Sequence, residues 1–229
     1  LDKMAMAGLT SDQAIGMLMG TTNLAAATNM DLTNAVDMAT DAIGAFGLAV
    51  NDPSLTAEEV AQQTTKNMNR IADVVAKTTN MANTDMSQWF EAVKSGAPTF
   101  TSMGGTLEEF SGMVGILANS GIKGAEAGTA LRNMMLNLGA PSSSATKALS
   151  KLGISVYDQA GNMLPIIDIM EQFEKKLGDV DEQTKNGALE DIFGKRNVGA
   201  FLTLMQSGTK EIRNYVDTLE QAGGTAQNM

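Results

Sequence analysis

Apolar residues recur along this chain at intervals of three and four, the spacing of helices that bury one face. Leu32, Ala35, Val36, Ala39, Ala42, Ile43 and Phe46 fall on one such stripe, and Val60, Thr64, Met68, Ile71 and Val75 on a second. Leu107, Phe110, Val114 and Leu117 form a third, and Ala127, Leu131, Met134 and Leu138 a fourth. Ile166, Ile169, Met170, Phe173 and Leu177 make a fifth, followed by Leu189, Ile192 and Phe193. Val198, Phe201, Leu202 and Met205, then Ile212, Tyr215, Val216 and Leu219, carry the pattern onward. The rhythm predicts an all-α, multi-helical compact domain of short amphipathic helices.

Local punctuation supports the same elements. Thr10 with Gln13, Thr56 with Glu59 and Thr106 with Glu109 have capping-box spacing, in which a hydroxyl and a longer side chain satisfy each other's orphan amides. Asp85 with Gln88 is a looser version ahead of Trp89 and Phe90. Gly96, Gly121, Gly139, Gly153, Gly178 and Gly194 follow helical stretches and are expected to end them in the left-handed conformation. Pro53, Pro98, Pro141 and Pro165 are expected between helices or at their starts. One segment breaks the rhythm. Ile154-Ser155-Val156-Tyr157 alternates apolar and polar, Asp158 to Gly161 reads as a turn, and Asn162-Met163-Leu164 returns, which predicts one small β-hairpin near residues 154–164.

The weakest boundaries, at 51–54 and 139–144, are too short to be free linkers. Residues 1–229 are therefore read as one helical domain, divisible into a helical half (1–140) and a half of hairpin plus C-terminal helices (141–229). A faint echo relates Asp31–Ala39 to Thr106–Val114, most of it inherent in any amphipathic helix.

Composition narrows the chemistry. With no Cys and no His, the usual zinc spacings, thiolate sites and Ser-His-Asp triads are excluded. A formal charge of -10, from 16 basic and 26 acidic residues without a basic stripe, argues against a nucleic-acid surface. The longest apolar run, Ala42 to Val50, is far short of the roughly 20 residues a bilayer span needs. Aromatics are only 4%, against 23 Gly and 17 Met, so Ala, Leu, Ile, Val and Met are expected to fill a core of closely packed helices. The chain opens on Leu1 rather than Met and trails off through Gly223-Gly224-Thr225, so both ends are read as cuts within a longer protein.

A few residues invite sharper readings. Glu58-Glu59 and Glu108-Glu109 offer paired carboxylates of the kind glycoside hydrolases use, but acids in a first helical turn also complement the helix dipole, and that reading is preferred. Gly16 with Gly20, and Gly124 with Gly128, have the spacing that packs membrane helices; their polar flanks favour close packing in water. Trp89-Phe90 is either a partner anchor or, as preferred, part of the core. Lys195-Arg196 offers two cations to an anion, although a solvated turn is the plainer reading. Met4, Met6, Met17 and Met19 are candidates for an exposed groove. No catalytic, cofactor-binding or metal residue is assigned.

The ordered set of motifs from Met103 to Leu177 is more informative than any one of them. Gly104-Gly105-Thr106-Leu107-Glu108-Glu109-Phe110 comes first, then Gly-Ile-Leu-Ala-Asn-Ser-Gly-Ile-Lys-Gly at 115–124 and Ala-Gly-Thr-Ala-Leu-Arg-Asn-Met-Met at 127–135. Ala-Leu-Ser-Lys-Leu-Gly-Ile at 148–154 and Asp-Gln-Ala-Gly-Asn-Met at 158–163 follow. This succession resembles the shared domain of the phage tail tape measure family. Gly8 to Leu48 looks like that domain's first half, and Gly194 to Val198 like its end.

The resemblance implies a structural, non-enzymatic protein that occupies the tail tube of a phage or prophage-like particle, is made in the host cytoplasm, and helps set tube length. It implies tail tube subunits and tail assembly chaperones as partners; self-association is a further expectation, the acidic charge speaks against nucleic acid, and membrane contact is left as a minor state during DNA delivery. A generic helical interaction module is the alternative, and a lysozyme-like hydrolase with a lone Glu a third. Glycines and prolines forbid one unbroken helix, so a compact domain near the ruler is expected rather than the ruler itself.

Overall fold

A computed structural model describes residues 10–28, 30–178 and 180–226, with the side chains at 19, 27 and 28 left out of account. Among them are eleven helices: α1 (Ser11–Thr28), α2 (Leu32–Ala45), α3 (Ala57–Met81), α4 (Met86–Ser102), α5 (Leu107–Asn119) and α6 (Gly124–Gly139). Then come α7 (Ser143–Leu152), α8 (Ile166–Leu177), α9 (Glu182–Phe193), α10 (Val198–Ser207) and α11 (Thr209–Glu220).

The helices start where the caps predict. Thr56 and Thr106 close full capping boxes with Glu59 and Glu109, and Asp85 accepts from the Gln88 amide. Thr10 and Gln13 exchange the same pair of bonds, at 2.8 and 3.3 Å. Asp31, Ser142 and Asp181 cap α2, α7 and α9 through their side chains.

Helix α5 is the hub. Eleven of its thirteen residues are buried, as expected for a helix that is apolar all round. It packs against α3, α4, α6, α10 and α11. Two close pairs flank it, α1 with α3 and α4 with α6, while α7 lies on α9 and α11 on α8. The few aromatics are gathered rather than spread. Phe46 meets Trp89 and Phe110, which meets Phe100, with centroids 5.4–6.3 Å apart. Phe173, Phe193 and Phe201 form a second cluster at 4.2–5.7 Å. Ala, Leu, Ile, Val and Met fill the rest of the core around these two anchors.

Four expectations need correction. First, no β-hairpin forms at 154–164. Tyr157 and Met163 make one isolated antiparallel bridge, and no strand is built on it. The Asp158 amide reaches the Asn162 carbonyl and the Leu164 amide the Val156 carbonyl, each at 2.9 Å, but the pairing goes no further. Ile166, which would pair next with Ile154, already begins α8 after Pro165, and the Ile154 N–H returns to Leu149; the outward-facing Ser155 amide and carbonyl bond the Gln172 side chain at 2.8 and 2.9 Å.

Second, Gly96 and Pro98 do not end a helix; both lie inside α4. Val93, Ala97 and Phe100 are fully buried on that stretch, and their packing carries the helix past the missing proline amide. Third, the other glycine stops divide. Gly121, Gly153 and Gly194 take positive φ, whereas Gly178 stays right-handed and Gly139 is the last residue of α6. Fourth, Leu32, placed on a buried stripe by its spacing, is 47% exposed.

Candidate functional site

The two acidic pairs open α3 and α5. In the first, Glu59 accepts from the Thr56 amide and hydroxyl, each at 2.8 Å, and that amide bond holds its carboxyl below the ordinary range. Glu58 is exposed and accepts from Gln62 at 3.2 Å. In the second, Glu109 accepts from the Thr106 amide at 2.9 Å, but burial pushes its carboxyl up, with Asp168 and Glu108 adding to the rise.

Glu108 is buried and receives both Nε and Nη2 of Arg70, each at 2.6 Å. That contact raises the guanidinium further. Arg70 lies eleven residues beyond Glu59 on α3, about 16 Å of helix rise. In each pair one carboxylate is tied to its own helix start by the capping box, and Glu108 is taken by Arg70. Their chemistry is capping and interhelical ion pairing.

The glycine motifs are crossing points. A Cβ on Gly16 would stand 2.4 Å from the Ala61 carbonyl, and one on Gly20 2.5 Å from Met68 Cγ, so both mark the contact of α1 with α3. Gly124 opens α6 at φ 56, while Gly128 sits against α4: a Cβ there would lie 2.1 Å from the Ala92 carbonyl. Gly96 answers it, with a hypothetical Cβ 2.2 Å from the Gly128 carbonyl. The backbones of α4 and α6 thus touch through a pair of glycines, of which the sequence marked one for packing and mistook the other for a stop.

Trp89 is buried, its indole N–H donating to Ser111 Oγ at 3.1 Å, and Phe90 is buried beneath Lys94. Lys195 and Arg196 lie exposed in the turn before α10, with Lys195 3.8 Å from Glu190. Met17 is wholly buried; Met4, Met6 and the Met19 side chain lie outside the described residues.

A second set of polar contacts had no sequence signal. Asp168, Glu171 and Glu174 line the side of α8 that faces α11. Arg213 donates to Asp168 at 2.6 Å and to Glu171 at 2.7 Å, and Glu174 accepts from the Thr209 amide at 3.2 Å and from its hydroxyl. On α3, the buried Asp73 accepts from the amides of Gly224 and Ala226, each at 2.8 Å, and so fastens the segment after α11. Only the long-range fold brings these partners together; capping and periodicity are local signals and do not see them.

Surface concavities accompany these contacts. A groove of 820 Å³ lies between α7 and α9, with Lys147 and Lys151 on one wall and Asp191 on the other. Another of 640 Å³ runs between α3 and the end of α11, past Arg70, Asp73 and Glu220. Among the described residues, no three acidic side chains gather as a cation site, and no helix is long and apolar enough to cross a membrane.

The arrangement defines a helical packing protein, one whose distinctive groups serve where helices meet. The chain belongs to the phage-related minor tail protein family, whose model matches residues 1–194. It is similar over its full length, at 28% identity, to the tape measure protein of Pneumococcus phage Dp-1, covering 19% of that protein. It is also 32% identical over 143 residues, 61% of the chain, to the probable tape measure protein of Escherichia phage P2, covering 17% of it. The chain thus spans under a fifth of the length of the curated relatives it matches. No solved structure matches it.

Proposed function

We propose that this chain is a folded segment of a phage tail tape measure protein, a structural and non-enzymatic part that acts in tail tube assembly and length determination. The observation that carries the reading is the alignment of all 229 residues within a tape measure protein about five times longer. On this reading residues 1–229 act as one unit inside the tail tube, after synthesis in the bacterial cytoplasm. Tube subunits and assembly chaperones are its partners.

The fold qualifies how such a segment contributes to length. As one helix, 229 residues would extend roughly 340 Å. The eleven described helices, packed around α5 and its neighbours, span far less. The segment then serves assembly and docking, and the measuring length lies elsewhere in the polypeptide.

An in-frame deletion of these residues from the parent phage gene tests both parts, with tails counted and measured by electron microscopy. The expected result is a sharp loss of assembled tails, any survivors being shortened by much less than about 340 Å. Normal numbers of tails with unchanged length would sink the assembly role. Shortening in full proportion to the deleted residues would sink the folded-segment reading.

A further inference from the structure

Helices α10 and α11 are separated by a single residue. Gly208 ends one and begins the other at φ 80 and ψ 146, a backbone region that residues with a side chain avoid. Straightening this residue would make Val198–Glu220 one continuous helix of about 35 Å, and no proline stands in the way.

The surface that receives α11 is built by other parts of the chain. Ile212, Tyr215, Val216 and Leu219 bury their side chains, with Tyr215 and Val216 lying over Gly115 and Gly112 of α5. The N-terminus of α11 takes no cap from its own Gly208; Glu174 of α8 supplies it. Arg213 is held by Asp168 and Glu171, also of α8, and Asp73 of α3 pins the residues that follow. A second copy offers the same α3–α5–α8 groove with the same groups. The Tyr215 hydroxyl is buried against Gly115 without a hydrogen-bond partner, which eases the release of α11 without favouring either arrangement.

We propose that α11 and residues 221–226 exchange between two copies of this chain. Gly208 straightens, and each α11 occupies the groove of the other copy. Reciprocal exchange closes a two-fold dimer that keeps every docking contact twice, so the two arrangements differ chiefly at the hinge. The exchange does not depend on the tape measure reading.

The chain has no Cys, which makes a disulfide test clean. A Cβ at Gly112 would lie 3.3 Å from Val216 Cγ2, so the pair Gly112→Cys and Val216→Cys is placed to bridge. The bridge forms within one chain in the unexchanged fold and between chains in the exchanged dimer, where a non-reducing gel shows a covalent dimer. Adding Gly208→Ala disfavours the bent hinge and favours the helix, and should raise the dimer fraction at least about tenfold.

Should that variant fail to fold, the natural hinge is compared with one lengthened by Gly-Gly-Ser after Gly208, both refolded from urea at about 1 mM. The natural hinge is expected to give covalent dimer and the lengthened one little. Bridges confined to single chains for both hinges, or equal dimer from both, would overturn the proposal.

Discussion

The glycine pair joining α4 to α6 supports a quantitative test. In Gly128→Ala, the new methyl would lie 2.1 Å from the Ala92 carbonyl oxygen, which belongs to a helix backbone and cannot turn aside. Reaching ordinary contact at 3.4 Å requires the helices to part by roughly 1.3 Å. Val93, Ala97 and Phe100 on α4, and Ala127, Leu131 and Met135 on α6, are buried along this pair of helices and lose contact together. A gap of that size forfeits about half of each dispersion well, which puts the cost near 3 kcal/mol. Alanine returns about 1 kcal/mol through helix propensity. The net loss of about 2 kcal/mol lowers Tm by about 4–8 °C for a chain of this size. The control is Gly187→Ala in α9, where a Cβ meets nothing within 4 Å and the substitution should stabilise by about 0.5–1 kcal/mol. Urea and thermal unfolding followed by far-UV circular dichroism read both variants. Gly128→Ala as stable as the natural chain, or both variants equally destabilised, would refute the close crossing.

Three further outcomes follow from the polar contacts. Arg70→Leu leaves the buried Glu108 carboxylate without its partner and should cost about 2 kcal/mol in urea unfolding, less than a fully buried pair because the guanidinium side chain is 44% exposed. Burial raises the Glu109 carboxyl above its unfolded value, so the folded state holds that proton more tightly; the contribution is full below the ordinary Glu range and is lost as pH rises through the raised value. Glu109→Gln keeps a capping-box side chain without the charge, so its Tm should exceed that of the natural chain at about pH 7, with the difference closing toward about pH 4. Tyr215→Phe removes a hydroxyl that burial drives to about 12 and that lacks a partner; the variant should be more stable by about 1 kcal/mol in the same assay.

What the sequence made legible was local. The Thr56–Glu59 and Thr106–Glu109 boxes, the stripes of α3 and α8 and the inward turn of Trp89 each follow from spacing within one or two helical turns. The misreadings share a different cause. Gly96 reads as a stop unless Gly128 is known to lie against it, and 154–164 reads as a hairpin unless α8 is known to begin at Ile166 and the Ile154 amide to return to α7. The clasps at Asp73 and Arg213, and the Arg70–Glu108 pair, join residues 38 to 153 positions apart, beyond any periodic signal. The family resemblance ran the other way: no single motif carried it, and the order of several did.

The central claim is that glycine-broken amphipathic segments fold back around α5 rather than extend as a rod. Small-angle scattering of the dilute chain tests it most directly. A radius of gyration near 18 Å is predicted from the scaling of compact domains; a value several times larger, with the scattering profile of a rod, would contradict the account.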